Sequence, residues 1–329
     1  MGGCDLWKMC LKSTKSLLII YLPWLHETVT RVCYKNFMKC DLHVHSYESG
    51  ACTTPVLGSF CRESYSDPEE VYDTLRRRGM KLLTLTDHDS IEGCENLRRH
   101  SDFFVSEEVT CRMPSGTVAH IGVYDLSERQ HVEIQRRRDD LVALLIYLTE
   151  HRLFFSINHV FSVLTGRRAE EDFSWFSEYF PAMETRNGSI PAAANRQAVR
   201  LAARTRKIAI GGSDAHTLES AGLAFTEVPG ARNKDEFFQG LWQGLGRVRG
   251  ETGGYKKVTF DVLRVAGEMI REERWTAALA PLAILIPVVT FGYYAAEQLF
   301  IRHWAGRVIP SSRGRERWPL AMPAAGEWA

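Results

Sequence analysis

The segment Lys39–His45 reads KCDLHVH, which is the pattern of a short buried strand that ends in polar residues. A second strand-like segment, Met80–Thr86, reads MKLLTLT. Between the two, Pro68–Arg78 is predicted to form a helix, with Asp67 as its N-cap and Gly79 as its stop. The order strand, helix, strand is the repeating unit of proteins with parallel sheets.

Strand-like and helix-like segments continue to alternate as far as Leu245. The further predicted strands are Phe103–Val109, Val118–Tyr124, Leu153–Asn158, Ala182–Arg186 and Ile208–Gly212. The further predicted helices are Ile91–Arg99, Arg129–His151, Glu170–Tyr179, Pro191–Arg206 and Lys234–Leu245. This alternation predicts an α/β fold whose sheet is parallel and is either open or closed into a barrel.

Composition restricts the class of protein. The chain has 329 residues, of which 45% are hydrophobic and 25% are charged, so it can bury a large core and is neither disordered nor collagen-like. Its formal net charge of +1 argues against a protein that coats nucleic acid. The eight cysteines form no CxxC pair, which disfavours a disulfide scaffold and favours a reducing compartment.

Residues that bind metals collect at the ends of the predicted strands. Six of the eleven histidines lie there, and His43 and His45 share one face of their strand because they are two residues apart. The other candidates at strand ends are His88 in TDHD, Glu108 in SEEVT, His120, His159 in SINH, and Asp214 and His216 in GGSDAH. Mixed nitrogen and oxygen ligands suit Zn²⁺, Mn²⁺ or Fe²⁺, and their number predicts two or three ions.

The motifs DLHVHS, TDHD, EVT, NH and GSDAH, in this order, resemble those of the polymerase and histidinol phosphatase (PHP) superfamily of metal-dependent phosphoesterases. The resemblance covers roughly residues 38–250. It implies a distorted (βα)7 TIM-like barrel of the PHP type, with two or three metal ions at the carboxyl ends of the strands.

The resemblance also distributes the ligands. The implied sets are His43, His45, Glu108 and Asp214 for one ion, Glu108, His120 and His159 for a second, and His88 and His216 for a third. Glu108 is preferred to Glu107 because a hydrophobic residue and a threonine follow it. Many members carry an aspartate or histidine five or six residues after the HxH motif, where this chain has Gly50 and Ala51, and Glu48 is the candidate substitute.

The implied function is the metal-dependent hydrolysis of a phosphomonoester or a nucleotide-type substrate by water that the ions activate. Candidate residues for moving the proton are Asp214, His216 and Asp87, and Asp41 is a candidate orienter of a ligating imidazole. Candidates for binding the substrate phosphate are Arg62, Arg167 and Arg168, which lie in predicted loops on the side of the strand ends.

Alternative functions remain open. One is a 5′–3′ exonuclease or oligonucleotide phosphatase, although no dedicated nucleic-acid-binding module is recognisable. Another is a metal-binding regulatory module that has lost catalysis, which the missing residue at position 50 or 51 favours. A hydrolase of C–N bonds is disfavoured because no lysine lies at a predicted strand end.

The segment Ala277–Ala296 contains twenty residues without a charge, enough for a helix to span the roughly 30 Å hydrocarbon core of a membrane. Trp275 and Tyr293 lie near its ends, as aromatic residues do at membrane interfaces. We therefore expect a transmembrane helix that holds the chain at the cytoplasmic face of a membrane. The alternative is a hydrophobic helix buried in a dimer or against the barrel, in a cytoplasmic protein.

The predicted organisation has five parts. They are an N-terminal extension at residues 1–37, a PHP-type barrel at 38–255, a linker helix at 256–275, the hydrophobic helix at 276–300 and a basic, disordered tail at 301–329. The extension contains an apolar run, Leu17–Leu25, that no signal-peptide cleavage site follows. Translation that starts at Met38 is a hypothesis that would remove the extension.

Overall fold

The computed structural model describes residues 36–51 and 61–308, and all the elements reported below belong to one compact unit that begins at Phe37. Of the predicted N-terminal extension, residues 1–35 lie outside the described residues, and so does the apolar run Leu17–Leu25. Residues 309–329 of the predicted tail also lie outside them.

The described chain is a mixed α/β fold. Its strands are β1 (Phe37–Cys40), β2 (Ser106–Arg112), β3 (Val118–Tyr124), β4 (Phe154–Ile157), β5 (Ala182–Asn187), β6 (Ile208–Gly212), β7 (Ala224–Pro229) and β8 (Arg247–Gly250). Its α-helices are α1 (Pro68–Arg77), α2 (Glu92–Glu95), α3 (Glu128–Gln135), α4 (Leu141–Glu150), α5 (Glu170–Tyr179), α6 (Ala192–Thr205), α7 (Lys234–Trp242), α8 (Tyr255–Glu272) and α9 (Ile286–Ala305). Three 3₁₀-helices complete the set, at Tyr47–Ser49, Asn96–Arg99 and Arg274–Leu285.

The strands pair into two sheets. One has the order β1-β7-β8, and the other has the order β2-β3-β4-β5-β6. In the five-stranded sheet β4, β5 and β6 are parallel, whereas β3 is antiparallel to both of its neighbours. The segment Met113–Thr117 that joins β2 to β3 is a tight turn, closed by a hydrogen bond from the Met113 N–H to the Thr117 carbonyl, and it is too short for the crossover helix that parallel neighbours need. The strand pairing does not by itself confirm the predicted (βα)7 barrel.

Isolated parallel bridges place further segments beside the sheet. Val44 bridges to Ala215, and His88 bridges to Glu108. The Asp214 N–H donates to the His43 carbonyl at 2.6 Å, so the HxH segment lies against the end of β6. At Gly212 an added Cβ would lie 2.3 Å from the His43 nitrogen, and this close approach therefore requires glycine.

Helix boundaries follow capping signals in the sequence. Helix α1 begins as predicted, with the Asp67 side chain accepting hydrogen bonds from the N–H groups of Glu69 and Glu70. The predicted single helix Arg129–His151 is wrong, because the structure has α3 and α4 in its place. The side chain of Asp140 accepts hydrogen bonds from two N–H groups of the first turn of α4 and so starts a new helix there.

The C-terminal part of the described chain is also divided. The stretch Arg274–Ala305 is the one helical stretch in the described residues that is long and apolar enough to cross a membrane, and its most apolar 18 residues have a mean hydropathy of 1.8. It is not one continuous α-helix, because a 3₁₀-helix that contains Pro281 runs to Leu285 and α9 begins at Ile286. Pro281 lacks the N–H that the interior of an α-helix needs, which explains why the α-helix begins only after it.

Candidate metal centre

The predicted ligands converge on one place. The described residues contain four groups of three side chains whose ligand atoms lie within 4.8 Å of one another. The groups are His43, His45 and Asp214; His43, Glu108 and His159; His88, Glu108 and His120; and His45, His88 and His216. Four of the side chains belong to two groups each, so the groups form one continuous cluster. Its eight members are the eight residues that the sequence predicts as ligands, and their role as ligands stays a prediction.

The Glu108 carboxylate lies at the centre of the cluster. The distances from its Oε2 are 3.2 Å to His43 Nε2, 3.5 Å to His45 Nε2, 3.4 Å to His88 Nδ1 and 3.6 Å to His120 Nδ1, and its Oε1 is 3.2 Å from His159 Nε2. The neighbouring Glu107 points to the other face of β2 and accepts hydrogen bonds from His131 and Gln135 instead. The structure therefore places Glu108, and not Glu107, in the cluster.

Several imidazole nitrogens of the cluster are buried without a hydrogen-bond partner. They are His43 Nε2, His45 Nε2, His88 Nδ1, His159 Nδ1 and His216 Nε2. Buried polar atoms in proteins nearly always have a partner, so five such atoms in one cluster need an explanation. The unpaired nitrogens of His43, His45 and His88 lie 3.2, 3.5 and 3.4 Å from Glu108 Oε2. Imidazole lone pairs that face a carboxylate across such distances fit divalent cations, which would satisfy both kinds of group.

The orientation of His43 depends on a residue that the sequence did not reveal, Glu184. His43 Nδ1 lies 2.8 Å from Glu184 Oε1. Because a carboxylate accepts hydrogen bonds, this contact assigns the proton of the His43 ring to Nδ1 and leaves Nε2 facing the cluster. The other Glu184 oxygen accepts from the His159 N–H at 2.9 Å and from the Asn187 side-chain amide at 3.0 Å. The signal that marks Glu184 in the sequence is a carboxylate within a buried strand, because unpaired charges are rarely buried.

Among the described residues, Asp41 accepts hydrogen bonds from backbone N–H groups and a serine hydroxyl and from no imidazole, so its prediction as an orienter of a ligating imidazole is wrong. Its carboxylate accepts from the N–H groups of His43, Ser213 and Gly222, at 3.2, 2.8 and 2.8 Å. It also accepts from the Ser213 hydroxyl at 2.5 Å. Burial raises the pKa of Asp41 to about 6, although these hydrogen bonds oppose the rise. The carboxylate thus joins the HxH segment to the end of β6.

The sequence suggests Asp87 as a ligand or a proton carrier. Like Asp41, Asp87 is buried and accepts hydrogen bonds that hold a segment of backbone, here the loop that follows the HxH motif. It accepts from the Ser46 N–H at 2.6 Å and from the hydroxyls of Ser46 and Ser49 at 2.7 and 2.8 Å. The Ser49 hydroxyl also contacts His45 Nδ1 at 3.0 Å. Asp87 belongs to none of the four groups in the described residues. Its contacts fix the orientation of His45.

The electrostatics of the cluster favour cations. Burial opposes ionisation of Glu108, but the imidazoles of His43 and His120 hold its pKa well below the usual value. Burial likewise opposes ionisation of Asp214, and His43 is the largest of the groups that hold the pKa of Asp214 low. Burial and the neighbouring His216 lower the pKa of His45 to about 3, so His45 is neutral. Ionised carboxylates and neutral imidazoles are the forms that bind metals. Burial lowers the pKa of His43 and His88, but the surrounding carboxylates, Glu108 first among them, together raise it by more, so a metal ion would displace protons from these two imidazoles.

Two members of the cluster have a backbone that side chains rarely adopt. His159 has φ of 28° and Asp214 has φ of 50°, both in or near the left-handed region. A residue other than glycine pays for this conformation, and such residues concentrate at functional sites. Both follow the end of a strand, β4 and β6 respectively, and the backbone turn there directs their side chains into the cluster.

This chain has Gly50 and Ala51 where many members of the superfamily carry an aspartate or histidine, but a carboxylate that the sequence did not suggest lies near His88. The Glu63 carboxylate lies 3.3 Å from His88 Nε2, next to the group formed by His45, His88 and His216. Glu48, the predicted substitute, is a member of none of the four groups that the described residues form. The sequence does not predict that Glu63 lies near the cluster, because its position has no fixed spacing to the HxH motif.

The three candidate arginines differ in exposure. Arg62 is exposed, donates to the Tyr47 carbonyl at 3.0 Å and lies over the Tyr47 ring. Arg167 is exposed as well. Arg168 is buried, donates to the Val118 carbonyl and lies over the ring of Phe176. Arg168 is therefore not the solvent-facing loop residue that the sequence suggests.

Comparison with known families agrees with this site. Residues 192–244, which contain α6, β6, β7 and α7, match the PHP-associated family. This stretch includes Asp214 and His216 of the cluster. The match confirms the resemblance to the PHP superfamily that the ordered motifs indicate. No protein among the curated sequences matches the chain.

Several solved structures are similar to part of the chain. PsfC from Pseudomonas syringae PB-5123 has 15% identity and a TM-score of 0.48, covering 70% of this chain and 99% of its own. A protein designated a metal-dependent phosphoesterase from Bifidobacterium adolescentis has 12% identity and a TM-score of 0.38, covering 54% and 87%. An amidohydrolase from Chromobacterium violaceum, solved with sulfate and no metal, has 16% identity and a TM-score of 0.41, covering 64% and 97%.

Proposed function

We propose that this PHP-type chain is a metal-dependent hydrolase of phosphoesters that acts on a phosphomonoester or a nucleotide-type substrate. The observation that carries the proposal is the continuous cluster around Glu108, in which buried carboxylates face imidazole nitrogens that have no other partner. Overlapping groups of ligands suit two or three adjacent divalent ions of the zinc, manganese or iron type.

Such ions, when bound, would lower the pKa of a coordinated water from about 15.7 toward 7 and neutralise charge on the phosphoryl oxygens. The residues of the chain hold this chemistry in place. Glu184 and Ser49 fix the ring orientations of His43 and His45, so that each presents its Nε2 to the same centre. Asp41 and Asp87 hold the backbone on which these two histidines lie.

His216 is the best placed residue to move a proton. Its side chain is 23% exposed, more than those of the other imidazoles in the cluster, and its Nδ1 lies 3.2 Å from the Asp214 carbonyl. Its Nε2 has no hydrogen-bond partner, so it can carry a proton when the group of His45, His88 and His216 holds no ion. An imidazole at the rim of the site can take a proton from water and give one to the leaving oxygen. The Asp214 carbonyl orients the His216 ring through its contact with Nδ1. The Asp214 side chain is held in turn by the Asn187 amide, which donates to Asp214 Oδ2 at 2.9 Å.

We assign substrate contact to Arg62 in preference to the other arginines. It is exposed, and it is held next to Tyr47, two residues after His45. A guanidinium in this position can form paired hydrogen bonds with phosphate oxygens. Arg168 already donates to the Val118 carbonyl inside the fold, so its role in our proposal is to support β3 next to His120.

The proposal extends to the fold, for which we infer a distorted seven-membered barrel. The five-stranded sheet supplies β2 to β6. The segments Asp41–His45 and Leu82–His88 would complete the ring, since Val44 bridges to Ala215 after β6 and His88 bridges to Glu108 in β2. The Thr86 N–H donates to the Val44 carbonyl at 2.9 Å and joins these two segments.

The test is an assay of the full chain with Mn²⁺ or Zn²⁺ against a phosphomonoester, a phosphodiester, nucleotides and short oligonucleotides. We expect Glu108→Gln to lose activity by more than about 100-fold, because it removes the shared carboxylate. The matched control Glu107→Gln changes the neighbouring buried carboxylate, whose partner is His131, and should stay within a few-fold of the parent chain. A folded, metal-loaded chain that hydrolyses none of these esters would refute the enzyme and favour a metal-binding regulatory module.

A further inference from the structure

The chain after β8 folds back on itself as a C-terminal hairpin, residues Tyr255–Ala305. The Tyr255 hydroxyl donates to the Pro287 carbonyl at 3.0 Å, and the hydroxyls of Thr259 and Thr290 lie 2.7 Å apart. The beginning of α8 therefore lies next to the beginning of α9. The 3₁₀-helix between them returns along α8, and the Thr276 hydroxyl donates to the Met269 carbonyl of α8 at 3.3 Å.

The first arm of the hairpin, α8, is tied to the loop that follows Asp214 and His216. The Asp261 carboxylate accepts from the Ser220 hydroxyl at 2.8 Å, and Lys257 donates to the same hydroxyl oxygen at 2.8 Å. Arg264 pairs with Glu219 at 2.5 Å. Helix α8 thus lies along the surface of the domain and does not project from it.

The second arm, α9, is tied to the loop that follows His159. Glu297 is fully buried, and its Oε1 accepts from the Ser162 hydroxyl at 2.5 Å and from the Val163 N–H at 3.1 Å. The Tyr293 hydroxyl donates to the same oxygen at 2.8 Å. These three donors hold the Glu297 side chain inside the protein. Moving Glu297 into the hydrocarbon of a membrane would remove them at a high cost in free energy.

The last turns of α9 are part of the protein core. Ile301 and Trp304 are 4% and 8% exposed and belong to the main hydrophobic cluster. The Trp304 ring lies 4.9 Å from that of Phe173 in α5. Both ends of the hairpin are therefore fixed to the domain that carries the metal centre, and the apolar segment lies between two fixed points.

The outer surface of the hairpin is strongly apolar. We call apolar face the exposed side chains of Trp275, Leu279, Leu282, Ile284, Leu285, Val288, Val289 and Phe291. Ile284 is 80% exposed and Val288 is 68% exposed. Contiguous exposed apolar patches of this kind mark contacts with membranes or proteins, whereas single exposed apolar residues such as Val132 and Val199 are normal.

The charges around the apolar face indicate which contact it makes. The sequence has no charged residue from Trp275 to Ala296. Exposed arginines lie before and after this stretch, at Arg271, Arg274, Arg302 and Arg307. The first group also contains Glu272 and the Glu268 that pairs with Arg271. A wholly apolar strip with cations at both ends matches the hydrocarbon of one leaflet and its anionic headgroups, whereas a protein partner requires a polar rim with hydrogen bonds.

We propose that the C-terminal hairpin is a monotopic membrane anchor that lies in one leaflet with its apolar face and does not cross the bilayer. A crossing by residues 277–296 would place the two ends of the hairpin on opposite sides of the membrane. It would have to pull Glu297, Ile301 and Trp304 out of the domain. The proposal replaces the transmembrane helix expected from the sequence, and it does not depend on the catalytic proposal.

The first test is flotation of the full chain with sealed vesicles of phosphatidylcholine and phosphatidylglycerol. We expect the parent chain to float with the vesicles and the double variant Ile284→Glu, Val288→Glu to lose binding at least about tenfold. The matched control Val132→Glu, Val199→Glu changes exposed valines outside the hairpin and should float like the parent chain. A parent chain that stays unbound overturns the proposal, as does a dimer that the Ile284→Glu, Val288→Glu variant converts to a monomer.

The second test distinguishes one leaflet from a crossing. Gly254 and Gly306 flank the hairpin, and an added Cβ at either meets no atom within 4 Å, so cysteines can be introduced at both positions. The chain for this test has serine in place of every cysteine other than the buried Cys40, Cys94 and Cys111, namely at Cys4, Cys10, Cys33, Cys52 and Cys61. In vesicle-bound protein, an impermeant maleimide added outside should label Gly254→Cys and Gly306→Cys equally. Protection of one of the two with labelling of the other would overturn the proposal.

Discussion

Replacing Glu184 by glutamine tests whether the cluster is built to bind metal, because Glu184 belongs to none of the four groups yet sets the ring of His43. In the parent chain one carboxylate oxygen accepts from His43 Nδ1 and the other accepts from His159 and Asn187. An amide of the same shape offers one acceptor oxygen, so its NH₂ group must face either His43 or the other two donors. If the NH₂ group faces His43, the ring loses the acceptor that fixes its tautomer. If it faces the other two donors, the His159 N–H and the Asn187 amide lose their acceptor, so the backbone that carries His159 loses its support.

The expected magnitude follows from the role of such supporting residues. Loss of a residue that orients a metal-ligating imidazole costs about 10- to 100-fold in metal affinity, which corresponds to about 1.4–2.8 kcal/mol. The loss is in this range because the three hydrogen bonds of Glu184 hold two of the predicted ligands. It is not larger because the ligating atoms themselves remain.

The assay is a titration of the chelator-stripped full chain with Mn²⁺ or Zn²⁺ against a competing indicator. The matched control is Glu227→Gln, which changes another buried glutamate, on β7, whose partner is Arg249 at 3.1 Å. The free energy of unfolding of both variants, measured in urea without metal, separates loss of fold from loss of binding. An affinity of Glu184→Gln within twofold of the parent chain would refute the orienting role, and so would equal losses in Glu184→Gln and Glu227→Gln.

Four further predictions follow. Trp304→Ala should lower the free energy of unfolding by about 3–5 kcal/mol in urea, and no change would contradict the docking of α9 on the core. Chelation should lower the melting temperature and Mn²⁺ should restore it, since ligand at 100 times its Kd contributes about 2.7 kcal/mol; equal melting curves would speak against a bound ion. Burial raises the pKa of Cys94 and of Cys111 to about 12, so both thiols should resist Ellman's reagent at pH 8 until the chain is unfolded; rapid labelling of the native chain would contradict their burial. Because these pKa values exceed the value of about 9 in the unfolded chain, their contribution to stability should be present below pH 9 and should be lost as the pH rises toward 12, a loss that Cys94→Ala should reduce in urea titrations. Gly212→Ala should prevent correct folding or metal binding, because its Cβ would overlap the backbone of His43, and normal metal content would contradict this.

The sequence predicted the residues of the cluster because short motifs determine them locally. His43 and His45 share a face through their spacing alone, and His88, His159 and Asp214 follow strand-like segments directly. Parallel strands place their carboxyl ends at one edge, so separate motifs meet in space. The choice of Glu108 over Glu107 agrees with the structure because alternate residues of a strand point to opposite faces.

What the sequence did not predict depends on contacts between distant segments. Glu184 is recognisable as a supporting residue only when β5 lies beside the HxH segment. Glu63 approaches His88 through a loop whose length no spacing rule fixes. The antiparallel direction of β3 depends on the short turn at Met113–Thr117, which strand-like patterns alone do not reveal.

The C-terminal segment shows the same limit of sequence patterns. A charge-free stretch of twenty residues predicts a membrane helix by its length and composition. Length and composition contain no information about which residues the two ends of the stretch contact. Glu297 and Trp304 are buried in the domain, which only the structure reveals. A fragment that ends at residue 255 or 270 would lack these core residues, so experiments on this protein need the full chain.

The most direct measurement of the central claim is anomalous X-ray diffraction from crystals of the full chain grown with Mn²⁺. We expect at least two anomalous peaks next to the Glu108 carboxylate, within reach of the imidazoles of His43 and His88. Crystals in which the cluster holds no peak, or in which manganese binds only elsewhere, would contradict the metal centre and the hydrolase built on it.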